Sequence, residues 1–308
     1  MAGRKVTVPA RIDRIATLGP VPVISGFLFA FGEGGKIVNG LPEFARSPRY
    51  RFQAVFAPSI ANKPIMQGAG REPRIEEFLK AAPDVAFTMD QETAKILQRN
   101  GIPAVFLAWR QPEDVRQVMR LMGEVLDKPA IANDYIRYFD DTTRRVREAL
   151  EKVPRAERPR VLYCNLKRLT QDQLIGEWWI ETAGGISVTN NGRAVESYAF
   201  SMEQLFAWNP DILILANTDD LKQLHADSRF AGLKAMASRR VYVAPIGAHL
   251  WSNRTVEQPL TLLWAAQIFA PDRFKGLDIV KEMQSFYSRF FHYRMTEAEA
   301  RAILSGNP

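Results

Sequence analysis

Thiol and imidazole chemistry has little to work with in this chain. Its 308 residues include one cysteine, Cys164, and three scattered histidines, His225, His249 and His292. A lone thiol builds no intramolecular disulfide, thiolate zinc cage or iron–sulfur cluster within one chain. A bare Zn or Mn ion needs several imidazoles together with carboxylates, so a directly coordinated cation is disfavoured. His249, with no second histidine near it in sequence, reads as an ordinary loop histidine. Dinucleotide chemistry is disfavoured too: the first apolar strand is followed by Gly19-Pro20-Val21-Pro22, which is not the G-x-G-x-x-G fingerprint. What remains is a supply of cations and aromatic rings. Lys plus Arg is 41 against 34 Asp plus Glu, a formal charge of +7. The basic residues are dispersed as short pairs, Arg4-Lys5, Arg144-Arg145, Lys167-Arg168 and Arg239-Arg240. No basic run is interleaved with aromatics, so nucleic acid is not expected as a partner. A modest positive field suits attraction of an anion into a cleft.

The elements that must position such groups follow from apolar patterning. With 46% hydrophobic and 24% charged residues the composition is that of an ordinary globular protein. Short apolar runs at 14–18, 53–56, 84–88 and 104–108 read as buried strands, with helical stretches at 74–82, 91–100 and 112–126 among them. Strands alternating with helices imply a parallel sheet with crossover helices. Asn100-Gly101-Ile102-Pro103 reads as a helix C-terminus. Residues 129–153 then read as one helix about 37 Å long, with Pro129 in its first turn. The theme repeats after it: strands at 160–164, 211–215 and 240–244, and helices at 174–182, 201–208, 255–269, 278–291 and 296–304. The most apolar stretch, 21–31, is broken by Pro22, Ser25 and Gly26 and is too short to span a membrane. The N-terminal residues lack the apolar centre of a secretory signal, and Met1-Ala2 reads either as a native cytoplasmic start or as a remnant on a chain whose signal was removed.

One passage occurs twice. Residues 74–87, RIEEFLKAAPDVAF, and 201–214, SMEQLFAWNPDILI, each carry an early glutamate, a short helix, Pro-Asp and an apolar strand. Glu76 and Glu203 both precede the proline by seven residues. An acidic residue near a helix N-terminus and a Pro-Asp turn account for each copy alone, and account less well for the matched spacing.

Together with the opening strand, the 129–153 helix, Thr182-Ala183-Gly184-Gly185 and the segment Trp251-Ser252-Asn253-Arg254-Thr255-Val256-Glu257-Gln258-Pro259-Leu260, these passages resemble the substrate-binding proteins of bacterial ABC importers whose two lobes are joined by a single helix. That group handles ferric siderophores, haem, cobalamin and, in some members, oxyanions such as molybdate. The resemblance implies an α/β fold of two Rossmann-like lobes: an N-terminal lobe at 1–127, a linker helix at 128–154, a C-terminal lobe at 155–270 and helices at 271–308 packing back on the lobes. It implies a cleft between lobes, a small closure motion, a periplasmic or extracytoplasmic location with a possible lipid anchor upstream, and a monomer that serves a permease dimer. It also implies that Glu76 and Glu203 dock into arginine pockets of that permease. No catalytic residue, metal ligand or resident cofactor is expected.

Ligand candidates lie in loops at the carboxyl ends of strands, where open α/β sheets bind. They are Ser59, Trp109, Arg110, Lys167, Arg168, Tyr198, His249, Trp251 and Arg254, with Arg71 just before the first repeated helix. Gly19, Pro20 and Val21 are candidates for backbone amides. Trp109-Arg110 stands out because it joins a flat apolar face to a fixed charge. Each has a plainer reading: Trp251 as core, Arg254 paired with Glu257, Lys167-Arg168 as a solvated turn. Aromatics beside arginines favour a ferric siderophore or similar metal chelate, and a molybdate or tungstate oxyanion is the alternative. An enzyme of the chelatase or nitrogenase-like design would need cluster cysteines or a clear His/Glu site.

Overall fold

A computed structural model describes residues 3, 5–111 and 113–306 of the chain. Arg4, Met1-Ala2 and Pro112, the expected first residue of a helix, lie outside the described residues. The chain divides into two compact units. The first comprises Met1–Arg137, Gly247–His249 and Ser285–Met295; the second comprises Tyr138–Ile246, Leu250–Gln284 and Thr296–Pro308.

The first unit is built on a parallel sheet of β1 (Ile15–Leu18), β2 (Val85–Thr88) and β3 (Ala104–Phe106) in that order. Its helices are α1 (Val21–Ala30), α2 (Arg51–Phe56), α3 (Ile75–Ala81), α4 (Gln91–Arg99) and α5 (Asp114–Val125). Every residue of α1 is buried, which is why the 21–31 run is so apolar. The expected strand at 53–56 is the helix α2 instead. Three apolar residues after Gln53 fit a buried strand and a buried helix equally well. What decides it is Phe52 and Phe56, one helical turn apart at 5.7 Å between rings. Phe56 packs into a cluster with Phe29, Tyr287, Phe291 and Tyr293 at 4.9–5.8 Å.

The second unit holds a four-stranded parallel sheet, ordered β6 (Ile186–Ser187), β4 (Arg160–Cys164), β8 (Ile212–Leu215), β9 (Val241–Val243). A small antiparallel pair, β5 (Thr170–Gln171) with β7 (Tyr198–Ala199), was not legible in the sequence. Helices α7 (Ile175–Thr182), α8 (Met202–Trp208), α9 (Thr218–Ala226), α10 (Lys234–Ala237), α11 (Gln258–Phe269) and α13 (Glu297–Leu304) belong to this unit. Gly184 takes φ +92°, and a Cβ there would lie 2.9 Å from the Leu150 side chain. The glycine is therefore required both by its backbone conformation and by close packing.

Helix α6 (Pro129–Leu150) runs unbroken for 22 residues, about 33 Å. It stops three residues short of the expected 129–153. The unit boundary falls within it, after Arg137, and within α12 (Ile279–Phe290), after Gln284. On the first side Asp134 accepts from Arg289 at 2.7 and 2.9 Å, and the ion pair holds the Asp134 carboxyl below its usual range. Lys128, just ahead of α6, bonds the Phe31 carbonyl at 2.8 Å and pairs with buried Glu33. On the second side Arg145 pairs with Glu282 at 2.5 Å, and Phe139 stacks on Trp178 at 6.0 Å.

The duplicated passage folds the same way twice. Helices α3 and α8 each span seven residues and end in a left-handed residue, Ala82 at φ 43° and Asn209 at φ 40°. Pro-Asp follows in both. Asp84 Oδ2 accepts from the backbone amides of Asp13 and Arg14 at 2.8 and 2.9 Å, at the entry to β1. Asp211 Oδ2 accepts from the Arg160 amide at 2.9 Å, at the entry to β4. The same arginines reach back to the last helical carbonyl, Arg14 to Ala81 O and Arg160 to Trp208 O. This clasp explains the matched spacing. Helix length, left-handed exit, proline and aspartate must stay in step for the carboxylate to meet the next strand. Each carboxylate is a charge-assisted acceptor worth on the order of 1–2 kcal/mol. Asp84→Ala and Asp211→Ala should each lower unfolding stability in urea by about that amount, whereas Asp13→Ala, which removes only an exposed pair with Arg11, should change it by about 0.5 kcal/mol or less.

Candidate functional site

In the first unit several backbone donors at the carboxyl edge of the sheet are already taken. The Gly19 amide donates to buried Gln67 Oε1 at 2.8 Å, Pro20 and Pro22 have no N–H, and the Val21 amide donates to Gly19 O at 2.9 Å. The expected amide cradle at Gly19, Pro20 and Val21 is therefore closed on itself. After β3, the Arg110 and Gln111 amides both donate to Asp114 Oδ2, at 2.6 and 2.8 Å.

Side chains gather at this edge instead. Gln53 on α2 donates through Nε2 to Pro22 O, in the first turn of α1, at 3.0 Å and to Ala248 O. That bridge brings the 247–249 loop to the end of β1 where α1 begins. There Tyr50 and His249 stack with ring centroids 6.0 Å apart, nearly parallel at 21°. Arg49 is close enough for its charge to act on both. Burial pushes the Tyr50 phenol above its usual range, with the Arg49 charge pulling the other way. Burial, helped by the same charge, pushes His249 down to about 3. Both rings are thus neutral at physiological pH beside one fixed cation. Elsewhere in this unit the buried donors Ser25 Oγ and Trp109 Nε1 and the buried acceptor Gln53 Oε1 have no hydrogen-bond partner among the described residues. A guanidinium with neutral donors in a partly dehydrated setting is suited to a compact anion.

In the second unit the amides after β4 are also taken. Leu166 and Lys167 donate to the buried Asp220 carboxylate at 2.9 and 3.2 Å, and Arg168 donates to Asn165 Oδ1 at 3.0 Å. Beyond them lies a polar network. Glu177 and Arg193, both almost wholly buried, pair at 2.8 Å. Thr189 Oγ1 donates to Glu177 at 3.1 Å, and Arg193 lies 5.3 Å over the Tyr198 ring. With every charge partnered, this network reads as structural support.

The residues expected to hold a ligand fall into distinct settings. Trp109 is only 5% exposed and packs on Phe27 at 5.4 Å, so its face belongs to the core. Trp251 is fully buried. Arg168 pairs with Asp172. Arg254 pairs with Glu196 at 2.6 Å rather than with Glu257, which is buried and accepts from Thr255 at 2.9 Å. Tyr198 lies on β7 against Trp208. Ser59 sits exposed in a 3-10 turn, Pro58–Asn62, because the strand expected before it is α2. Arg71, Arg110 and Lys167 are exposed and have no ion pair among the described residues. Of the cluster, His249 is a sequence candidate from the loop after β9, whereas Arg49 and Tyr50 were missed. Arg49 and Tyr50 lie on a 3-10 turn, Pro48–Tyr50, far from any strand end in sequence, and only the Pro-Arg-Tyr-Arg run marks them.

Glu76 and Glu203 occupy the second position of α3 and α8, and both are exposed. The Glu203 carboxyl is held below its usual range by the Ser201 hydroxyl and by its own backbone amide. Among the described residues no helix is long and apolar enough to cross a membrane.

Residues 24–246 match the family model described as periplasmic binding protein. A solved periplasmic solute-binding protein from Veillonella parvula is 30% identical, with TM-score 0.86, covering 99% of this chain and 95% of that one. The molybdate-binding protein MolA of Haemophilus influenzae is 22% identical, covering 94% of this chain and 88% of the relative. Its structure bound to molybdate superposes with TM-score 0.83 at 21% identity, covering 95% and 97% of the two chains. CeuE of Helicobacter pylori with Ni(II) bound gives TM-score 0.75 at 17% identity, covering 97% and 96%.

The His249 environment has a signed consequence. Its folded pKa of about 3 lies below the unfolded value near 6.5. Between those values the unfolded chain binds the extra proton, so the stability contributed by neutral His249 is present above about pH 6.5 and is lost as pH falls toward 3. Melting temperature should fall more steeply from pH 7 to pH 4 in the wild type than in His249→Gln; parallel curves would remove the histidine from that role.

Proposed function

The chain belongs to the periplasmic binding protein family, and on that premise we propose that it captures a small tetrahedral oxyanion of the molybdate–tungstate class and delivers it to the permease of an ABC importer. The carrying observation is the Arg49–Tyr50–His249 cluster: one permanent cation able to grip two oxygens, beside two rings kept neutral by burial. An oxyanion held there is bound and released without being transformed. The net charge of +7 favours its approach. MolA, which aligns over nearly the whole chain, is named for molybdate, and this supports the same cargo class. The location that follows is extracytoplasmic.

A ferric siderophore or other metal chelate is the second reading. In the sequence it is favoured by aromatics beside arginines, Trp109, Tyr198 and Trp251 among them, with Trp251 also readable as core. Trp109 and Trp251 are both buried in their own units, so the broad aromatic face a chelate would use is not offered by those two residues.

Thermal melting separates the two. Molybdate and tungstate at about 100 times their Kd should stabilise the protein by roughly 2.7 kcal/mol, a rise of about 5–10 °C, while a ferric catecholate siderophore should not. Arg49→Ala should weaken molybdate roughly 10- to 100-fold. A melting shift with the siderophore alone would overturn the oxyanion reading.

Docking to the permease is assigned to Glu76 and Glu203, one on each unit. Solvated ion pairs contribute little individually, but two of them set register and steer encounter. Charge reversal at both, Glu76→Lys with Glu203→Lys, should abolish uptake in cells while leaving cargo affinity intact; a loss of affinity would contradict the assignment.

A further inference from the structure

Few large apolar side chains are exposed on this protein. Among the described residues they are Phe44, Leu79, Ile96, Val195 and Phe206. Two of the five occupy the same place in the duplicated passage. Leu79 on α3 is 58% exposed and follows Glu76 by three residues; Phe206 on α8 is 39% exposed and follows Glu203 by three residues. Residues three apart on a helix share a face. The preceding residue in each helix, Phe78 or Leu205, is fully buried and fixes which way that face turns. The fold makes little use of the exposed pair: Phe206 leans on Phe230 at 6.4 Å, and Leu79 belongs to no described core cluster. On α3 the neighbouring carboxylate Glu77 is already paired with Lys80 at 3.1 Å, whereas Glu76 has no ion pair among the described residues. Each unit therefore offers an exposed carboxylate with no ion pair among the described residues and a large apolar side chain, at equivalent positions of equivalent helices.

We infer that Leu79 and Phe206 are the apolar half of the permease-docking surface, each filling an apolar recess beside the basic group that receives Glu76 or Glu203. The inference rests on the docking reading of the two glutamates. A partner that matches it presents the combination of cation and apolar recess twice, as a two-fold or internally repeated surface does. The division of labour is physical. The carboxylates act at range and are screened by salt. The apolar side chains act only on contact and supply a desolvated anchor of the kind that dominates interface energy.

The test compares two double variants of the full chain against the permease encoded with it, held in lipid nanodiscs, at 50 and 500 mM NaCl. Leu79→Ser with Phe206→Ser should lose at least tenfold in permease affinity at both salt concentrations, with unchanged melting temperature and unchanged molybdate binding. Glu76→Ala with Glu203→Ala should lose affinity chiefly at low salt. Unaltered affinity in the serine variant beside a weakened alanine variant would overturn the apolar contribution and leave the glutamate docking standing. Unaltered affinity in both would overturn the docking reading itself. A lowered melting temperature in the serine variant would make the pair structural. Conversion of a dimer to a monomer by the serine variant would assign the surface to a second copy of this chain. Either result would overturn the inference.

Discussion

At the carboxyl edges of both sheets, several backbone amides are already bonded within the protein. Gly19 is held by Gln67, Arg110 and Gln111 by Asp114, and Leu166 and Lys167 by the buried Asp220 carboxylate. Proline at 20 and 22 removes two more donors at the start of α1. Many anion sites are built from such amides at a turn or helix start. For these amides that route is closed, and in the function we propose recognition passes to side chains. In the first unit the side chains that gather are Arg49, Tyr50 and His249, brought to the end of β1 by the Gln53 bridge. Burial keeps both rings neutral, so they can donate hydrogen bonds without adding charge, while Arg49 supplies the one fixed charge.

The second constraint is duplication. Each unit carries a seven-residue helix with a left-handed exit, a Pro-Asp turn and an arginine that closes the clasp onto the neighbouring strand. The clasp fixes the helix relative to its own sheet, and with it whatever the exposed helix face presents. That links a structural device at the amino ends of β1 and β4 to the surface on which Glu76 and Glu203 stand. The repeat visible in the sequence is thus first a folding motif, and its exposed positions are then available for recognition.

Much of the fold was legible because its signals are local. Alternating strands and helices, Gly101 and Gly184 as helix stops with positive φ, and Pro129 opening a long helix can each be read within a few residues. The 53–56 segment was misread because three apolar residues carry no period; its helical state sets Phe52 and Phe56 one turn apart, and Phe56 then packs on Phe29, Tyr287, Phe291 and Tyr293, all outside the segment. The two-residue strands β5, β6 and β7 are too short to leave a pattern. The candidate site was less legible still. Sequence places residues after strands, but does not tell that the Trp109 indole turns into the core or that Arg254 is consumed by Glu196. Nor does it show that Arg49-Tyr50 and His249, two hundred residues apart, meet through a glutamine on α2. That meeting rests on long-range packing alone.

The direct measurement is a crystal of the protein soaked in tungstate, whose metal scatters anomalously and so locates the anion without assumption. The account expects one dominant anomalous peak within hydrogen-bonding reach of Arg49, Tyr50 and His249, and its loss in Arg49→Ala crystals. A peak held instead by backbone amides at the ends of β1 or β4, or tungstate bound in solution with no peak near Arg49, would contradict it.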